Sequence, residues 1–425
     1  MREMKDSGIE WIGEIPKHWT VKNLKYIFDI TSGSTPASGV SKYWDGDIKW
    51  ITPADFKTND VYVFGGRRNI TGLALMSCST QVIPDSSIIF SKRAPIGSVV
   101  ITGEKMCINQ GCLALVSKHQ KTSVKFYYYA LSILDKIFDM LGSGTTFKEI
   151  SAFRFSNTSL QCPHFEEQQQ IADFLDTQCS EIDATAEDIQ KEISLLEEYK
   201  KSVITEAVTK GLNPAAEMKD SGIEWVGKVP VTWKIMPNKY IMTKKKVIKE
   251  VYDDENIISL SMNGVIVRDL EAGGKMPKTF DGYQIVYPGN LLMCLFDYDV
   301  TPRCIGLIKD YGVTSPAYSQ FVMNNDNYSG YYYYYYLMID HAKTLLHLAK
   351  NLRHSFTEEQ LGAILAPVPT VEEQYQIVNY LDSKCSEIDT LIADKKRQLD
   401  ILADYKKSLI YEYVTGKKEV PVKDF

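Results

Sequence analysis

From Leu175 the apolar residues return in alternating steps of four and three: Leu175, Cys179, Ile182, Ala186, Ile189, Ile193, Leu196, Val203 and Ala207, with one polar interruption at Lys200. The same rhythm recurs at Leu381, Cys385, Ile388, Ile392, Leu399, Leu402, Leu409 and Tyr413, interrupted by Lys395 and Lys406. A period of about 3.5 residues held over several heptads predicts a coiled-coil seam. Pro163 and Pro369 lead into the two segments, and the pairs Glu166-Glu167 and Glu372-Glu373 suit first helical turns, where the helix dipole favours negative charge. Lys210-Gly211 and Gly416-Lys417 suit the stops. Residues 163–211 and 369–417 therefore read as two spacer helices; from Gln168 to Thr209 a rise of about 1.5 Å per residue gives a rod of roughly 60 Å. Neither can bury its stripe alone. The simplest arrangement packs them antiparallel on each other within one chain, and pairing between chains is the alternative. Lys200 and Lys406 each sit in a Tyr-Lys-Lys-Ser string. A seam lysine either fixes register or snorkels to the edge.

The helices belong to a duplication. Met4–Trp11 (MKDSGIEW) recurs unchanged at Met218–Trp225, and both copies continue to a matching Gly-x-x-Pro-x-x-Trp, ending at Trp19 and Trp233. Glu166–Asp183 likewise matches Glu372–Asp389. Between these matches the halves are hardly alike. The implied order is an N-terminal repeat segment (1–19), a first insert (20–160), the first spacer helix, a linker repeating the N-terminal segment (212–233), a second insert (234–366), the second spacer helix and a tail (418–425). Each insert has the size of one domain.

Both inserts read as mixed α/β. Strand-like runs lie at 87–90, 98–101, 256–260 and 290–295, and helices are expected over 126–141 and 331–349. The expected fold class is α/β (α+β): two globular recognition-sized domains separated by two long antiparallel helices, with a pseudo-twofold internal repeat. The tyrosine run Tyr331–Tyr336 has a counterpart in Phe126–Tyr129. Buried helical aromatics and base stacking are the two readings of it.

Composition adds constraints. The 425 residues exceed one ordinary core, and 44% hydrophobic with 24% charged residues is the balance of a soluble globular protein. No run of about 18 apolar residues exists. The first residues lack an apolar signal region, so the expected location is cytoplasmic, without a membrane. Eight cysteines without Cys-x-x-Cys spacing read as free thiols rather than disulfides or a zinc site. The net charge of −6 is unevenly spread: residues 20–160 carry 16 Lys and Arg against 10 Asp and Glu, whereas 163–211 carry 4 against 12. The acidity sits in the helices, which removes the objection that an acidic chain cannot bind nucleic acid.

Candidate contacts to phosphates or base edges follow from polar clusters. In the first insert they are Ser32, Ser34 and Thr35; Arg67 and Arg68; Lys92 and Arg93; Asn109 and Gln110; and Ser143, Thr145, Thr146 and Lys148. In the second they are Lys244, Lys245 and Lys246; Asn263 and Arg268; Arg303; Ser315; and Asn351 and Arg353. No phosphate-binding Gly-x-x-x-x-Gly-Lys, Gly-x-Ser-x-Gly or His-Glu-x-x-His string exists, and the six histidines share no pattern. No catalytic or metal-binding residue is therefore expected, and no cofactor bound by this chain.

The order of insert, Pro-x-x-Glu-Glu-Gln helix, repeated Gly-Ile-Glu-Trp segment, insert and second Pro-x-x-Glu-Glu-Gln helix resembles the specificity subunit of type I restriction–modification systems over essentially the whole chain. The resemblance is carried by Pro163–Gln168 with Ile171 and Leu175, by Pro369–Gln374 with Ile377 and Leu381, and by Ser32–Pro36 with Tyr43-Trp44, Gly46 and Trp50. The second insert lacks the Ser-Gly-Ser-Thr-Pro string and keeps only Arg303–Gly306 as an echo of Arg93–Gly97. The resemblance implies a non-catalytic subunit whose two target-recognition domains each bind half of a split site in double-stranded DNA. It implies that the paired helices set the spacing and dock two methyltransferase subunits, which use S-adenosylmethionine on adenine. Translocase–nuclease subunits join for restriction. A protein-interaction scaffold without sequence-specific DNA contact is the competing reading.

Overall fold

The computed structural model describes residues 2–56, 60–93, 95–142, 148–271, 277–349 and 354–421. The chain divides into two compact units, one of residues 1–189 with 397–425, the other of residues 190–396. Four helices carry the architecture: α1 (Val124–Ser132), α2 (Phe165–Lys210), α3 (Ser329–His341) and α4 (Val371–Val414). Both long helices run through the unit boundary, so each unit holds a stretch of α2 and a stretch of α4.

In the first unit a five-stranded sheet has the order Phe28–Ser32, Cys112–Ser117, Ile88–Ser91, Val99–Thr102, Tyr62–Val63. Its neighbours are antiparallel except for the parallel last pair. The strand period of two feeds two cores. Ile88, Phe90, Val99, Ile101, Leu113 and Leu115 face α1 and the long helices. Ile89, Val100, Cys112 and Ala114 meet Ile51, Met106 and Ile108 on the other face. A three-stranded sheet, Cys107–Ile108, Trp44–Ile51, Arg68–Ile70, lies beyond.

The second unit holds a four-stranded antiparallel sheet ordered Met242–Lys245, Ser319–Met323, Leu291–Met293, Ile305–Leu307, with α3 packed in the same core. The hairpin Ile258–Ser261 with Gly264–Val267 and the pair Gln284–Val286 with Gly312–Thr314 complete it. Each insert is clasped at its root by one antiparallel pair. Thr20–Asn23 joins Ser159–Cys162, and Lys234–Pro237 joins Leu365–Val368.

The seam forms within the chain, in each unit separately. In the first, Leu175 and Cys179 share a core with Leu409, Ile410 and Val414, and the tilted rings of Phe174 and Tyr413 meet with centres 4.5 Å apart. In the second, Val203 and Ala207 share a core with Leu381 and Cys385. Ile189 and Ile388 are buried, while Ile182, Leu196 and Leu402 are half-buried, as two strands of helix leave them. In both units rising positions on one helix meet falling positions on the other, so the helices run antiparallel. The seam lysines do more than snorkel: Lys406 reaches both carboxylate oxygens of Asp183 at 2.7 Å, and Lys200 both of Asp389 at 2.6 Å.

Two expected helices are shorter than their apolar runs. The first breaks after Ser132 and restarts at Asp135, where the backbone lies so close to Gly97 that a Cβ there would meet the Asp135 Cα at 2.7 Å. The second ends at His341, because Lys343 takes φ 49° and donates to Asp340 and to the Thr301 carbonyl, both at 2.7 Å.

Candidate nucleic-acid interface and its helical frame

The repeated motifs build the frame that carries the inserts. Gln168 Nε2 donates to the Pro163 carbonyl at 2.9 Å, and its Oε1 accepts from the Ser123 amide at 2.9 Å, just before α1. Gln374 repeats this with the Pro369 carbonyl at 3.1 Å and the Tyr328 amide at 2.7 Å, just before α3. A side-chain amide can accept from one segment and donate to another, and here it joins insert to long helix. One residue earlier, Glu167 accepts from the Trp19 indole at 2.9 Å and Glu373 from the Trp233 indole at 3.2 Å. Both indoles are fully buried. Phe126 and Tyr331 meet them edge to face at 6.4 and 6.2 Å. Gly211 and Gly416, at φ 73° and 70°, close the long helices beneath the same tryptophans. At Gly416 a Cβ would meet Pro16 at 2.5 Å.

The tyrosine run belongs to this frame. Tyr331, Tyr332, Tyr334, Tyr335 and Tyr336 are buried, which leaves their faces unavailable to bases. Tyr334 donates to Asp382 at 2.6 Å as Tyr129 does to Asp176 at 2.7 Å. Burial first, and then the bond to a carboxylate, push both phenols above their ordinary pKa.

In the first insert the structure brings one group of candidates together. The Ser34 amide donates to the Ile108 carbonyl at 3.1 Å, and the Trp50 indole to the Ser34 carbonyl at 3.2 Å. Thr35 bonds to Gln110, and Asn109 accepts from the Gly111 amide at 2.9 Å. Gly33 is obligatory, since a Cβ would lie 2.0 Å from the Ile108 carbonyl oxygen. Ser32, Thr35 and Gln110 remain exposed on this braced loop. A second group surrounds Glu149, which takes Lys92 at 2.9 Å and Arg93 at 2.7 Å. Partial burial of Glu149 would raise its pKa, but the hydrogen bonds from Lys92 and Arg93 outweigh it and the carboxyl is held below its ordinary range. Lys148 pairs with Asp139 at 2.5 Å. Arg67 donates to the Ala54 carbonyl at 2.7 Å, and Arg68 lies 4.1 Å above the Trp44 ring. Ser143, Thr145 and Thr146 lie outside the described residues.

In the second insert the candidates are dispersed. Lys244 pairs with Glu358, Lys245 lies 3.7 Å from the Tyr287 ring centre, and Lys246 is exposed. Asn263 sits exposed in the turn of the 258–267 hairpin, and the Arg268 amide donates to the Ile257 carbonyl at 2.7 Å. Arg303 donates to the carbonyls of Ile305 and Met262, both at 3.1 Å, and to the Tyr333 hydroxyl at 2.6 Å. Its guanidinium thus ties the hairpin to α3. Ser315 accepts from Gln284 through its carbonyl at 2.9 Å. Asn351 and Arg353 lie outside the described residues. Among the described residues no group of three His, Cys, Asp or Glu side chains could hold a metal, and no helix is long and apolar enough to cross a membrane.

The sequence reading missed Trp19, Trp233, Gln168, Gln374, Asp183 and Asp389 as working parts. Their signal was present, because every one of them recurs at its equivalent place in the second half.

In each unit, then, the same repeated contacts attach a different mixed α/β insert to the long helices. Residues 16–195 match the type I restriction modification DNA specificity domain. The type I restriction enzyme MjaIX specificity subunit of Methanocaldococcus jannaschii is 36% identical over 44% of this chain and 43% of its own length. The MjaVIII specificity subunit of the same organism is 21% identical over 96% of this chain and 94% of that one. The match thus spans less than half the length of the first of these relatives and nearly all of the second. Among solved structures, a chain described under complex assembly and conformational transition of the type I R-M system shares the fold, with a TM-score of 0.71 at 12% identity, over 95% of this chain and 99% of that one. Over these stretches the chain is similar to type I restriction–modification specificity subunits, the family its sequence resembles.

Proposed function

We propose that this chain is the non-catalytic subunit that gives a type I restriction–modification assembly its DNA sequence. Each insert reads one half of a bipartite, asymmetric duplex site. The paired helices hold the halves at a set spacing and dock two methyltransferase subunits, which carry S-adenosylmethionine and methylate adenine; translocase–nuclease subunits join for restriction. The observation that carries this reading is the identical attachment of unlike domains. Trp19, Glu167 and Gln168 hold one insert as Trp233, Glu373 and Gln374 hold the other. A frame built twice offers equal seats to two copies of one partner, and unlike inserts make the DNA word asymmetric. Half-sites about one helical turn, roughly 34 Å, apart on DNA call for such a spacer between readers.

Lysines and arginines would meet phosphates and set the register, and the braced loop with Thr35 and Gln110 would meet base edges. The pairing of Lys92, Arg93, Lys148 and Lys244 with acidic residues favours a second reading, a scaffold whose inserts bind proteins. One experiment separates them. Residues 20–160 are exchanged for the equivalent insert of another specificity subunit, and the assembled complex is selected against random duplexes. One half of the enriched sequence should change while the other stays. A change in both halves refutes modular reading, and no enrichment with either chain supports the scaffold.

A further inference from the structure

The hairpin Ile258–Ser261 with Gly264–Val267 carries an uncharged tip that the second insert holds firmly in place. Across the pleat Leu260 pairs with Val265, and both pack on the core of Ile258, Val286, Leu292 and Ile308. Gly306 lies so close beneath them that a Cβ there would meet Val265 Cγ2 at 2.4 Å. The strand period of two turns the next pair, Ser259 with Ile266, away from that core, and Ile266 is 42% exposed. The turn presents Met262, 74% exposed, and the exposed Asn263. This turn is braced. Ser261 Oγ accepts from the Asn263 amide at 3.1 Å and donates to the Gly264 carbonyl at 2.9 Å. Arg303 donates to the Met262 carbonyl at 3.1 Å and to the Tyr333 hydroxyl at 2.6 Å, and the neighbouring Tyr334 donates to Asp382 on α4. The tip is thus tied through α3 to a long helix of the same unit. Charge sets the hairpin apart as well. Lys92, Arg93, Lys148 and Lys244 each face a carboxylate, whereas among the described residues Arg303 bonds to carbonyls and a phenol and forms no ion pair. Residues 256–268 hold one arginine and no acidic residue.

We propose that this hairpin is the element with which the second insert enters the major groove of a duplex, Asn263 meeting an adenine edge and Met262 with Ile266 meeting a thymine methyl, while Arg303 is a positioning residue that touches no DNA. This rests on the function proposed above and names the part that performs it in the insert lacking the Ser32–Pro36 string. A ribbon of two strands about 4.8 Å apart fits a groove about 12 Å wide. An asparagine amide offers one donor and one acceptor side by side, which match the N7 and N6 positions of adenine, and an aliphatic side chain suits the thymine methyl. A charged tip would hold phosphates anywhere on a duplex, whereas an uncharged one gains from particular base edges. The guanidinium behind the turn, with no carboxylate against it, supplies a positive field that favours a polyanion. Bracing serves the same end, because a contact carried on a loose turn must first be ordered. The first insert is built alike in this respect: its 32–36 loop is held by backbone bonds and leaves Thr35 and Gln110 exposed.

The test selects the assembled complex against random duplexes, as wild type and as Asn263→Ala, Met262→Ala with Ile266→Ser, and Arg303→Gln. Asn263→Ala should lower the preference for A·T at one position of one half-site at least about fivefold and leave the other half unchanged. Met262→Ala with Ile266→Ser should relax that position or the one beside it. Arg303→Gln should relax the same position, while the slope of log affinity against log salt, read by fluorescence anisotropy, stays that of wild type. A slope shallower by about 0.9 would make Arg303 a phosphate contact and overturn its positioning role. Asn263→Ala alters an exposed turn residue, so the hairpin assignment stays testable if Arg303→Gln does not fold. A selected sequence identical to wild type in both tip variants, or affinity lowered equally for every sequence, would overturn the hairpin assignment and leave the proposed function standing. A wild-type complex that enriches no sequence would overturn both.

Discussion

Breaking the Asp183–Lys406 pair is the most direct probe of how the frame is held in register. Lys406 lies on the apolar stripe, with 23% of its side chain exposed, and Asp183 has 35% exposed. Opposite charges about 4 Å apart attract by roughly 4 kcal/mol at an effective dielectric constant near 20. Ordering a lysine side chain and stripping part of its water remove most of that. A net coupling of about 1 kcal/mol remains, at the upper end for exposed pairs. The equivalent Lys200–Asp389 pair has the same contact geometry, but Asp389 is 58% exposed, so about 0.5 kcal/mol is expected there. A double-mutant cycle of Asp183→Ala and Lys406→Ala measures the term. A chain of two units does not unfold in one step, so the readout is local: hydrogen exchange of the amides in 176–189 and 400–413. Coupling of about 1 kcal/mol means the double variant exchanges about fivefold more slowly than additive singles predict. The swap Asp183→Lys with Lys406→Asp should recover most of the protection, and 0.5 M salt should shrink the coupling. Singles that add to within about 0.3 kcal/mol at both pairs would refute the claim that the seam lysines set register.

Three further outcomes follow from other parts of the molecule. Gly33→Ala forces the 32–36 loop off the Ile108 carbonyl and should weaken duplex binding more than tenfold, with some loss of stability as the Ser34–Ile108 hydrogen bond breaks; unchanged affinity would remove this loop from the interface. Glu149→Gln should release Lys92 and Arg93, raise duplex affinity at low salt and steepen the salt dependence, which fluorescence anisotropy across a salt series would show. Because the folded pKa of Glu149 lies below its ordinary 4.5, the stability from this trio is present above that pH and is lost as the pH falls through the depressed value; acid unfolding of wild type and Glu149→Gln should therefore converge at the acid end. Trp233→Ala removes a fully buried indole bonded to Glu373 and should cost about 3–5 kcal/mol, read as lost exchange protection around 203–211 and the start of α4.

The frame was legible because it is periodic and repeated. A seam of 3.5-residue spacing survives any ambiguity in single residues, and both helices came within a few residues of their observed ends. The reading that the two helices meet inside one chain holds, since Leu175 and Leu409 share a core in one unit and Val203 and Leu381 in the other. Strand centres were read at Ile88–Ser91 and Val99–Thr102, where apolar residues run without charge, while the equally uncharged Cys112–Ser117 was not. Helix ends inside the inserts were not. The break before Asp135 depends on Gly97 from a distant strand turn, and the stop at His341 depends on the Thr301 carbonyl, neither of which a local pattern contains. Among the candidate contacts, residue type suggested charge but not partners. Arg303 looks in sequence like Arg93; in space one braces a hairpin and the other flanks a carboxylate.

The crossed assembly of the units explains why the duplicated segments are so alike while the inserts are not. Each unit is completed by the other half of the sequence. Gln161 donates to the Val414 carbonyl at 2.8 Å, Tyr411 to the Trp11 carbonyl at 3.2 Å, and Tyr331 to the Val208 carbonyl at 2.8 Å. A change in Trp19 or Glu167 is therefore felt at the end of α4, and one in Trp233 at the end of α2. The frame residues are locked to partners drawn from both copies, so each copy constrains the other. Among the described residues a strand pair, a helix and a glutamine-bridged turn recur in both attachments, and contacts such as Asp135 with Lys407 at 4.0 Å belong to one insert alone. The physical division between shared frame and private insert is thus drawn by hydrogen bonds and buried indoles.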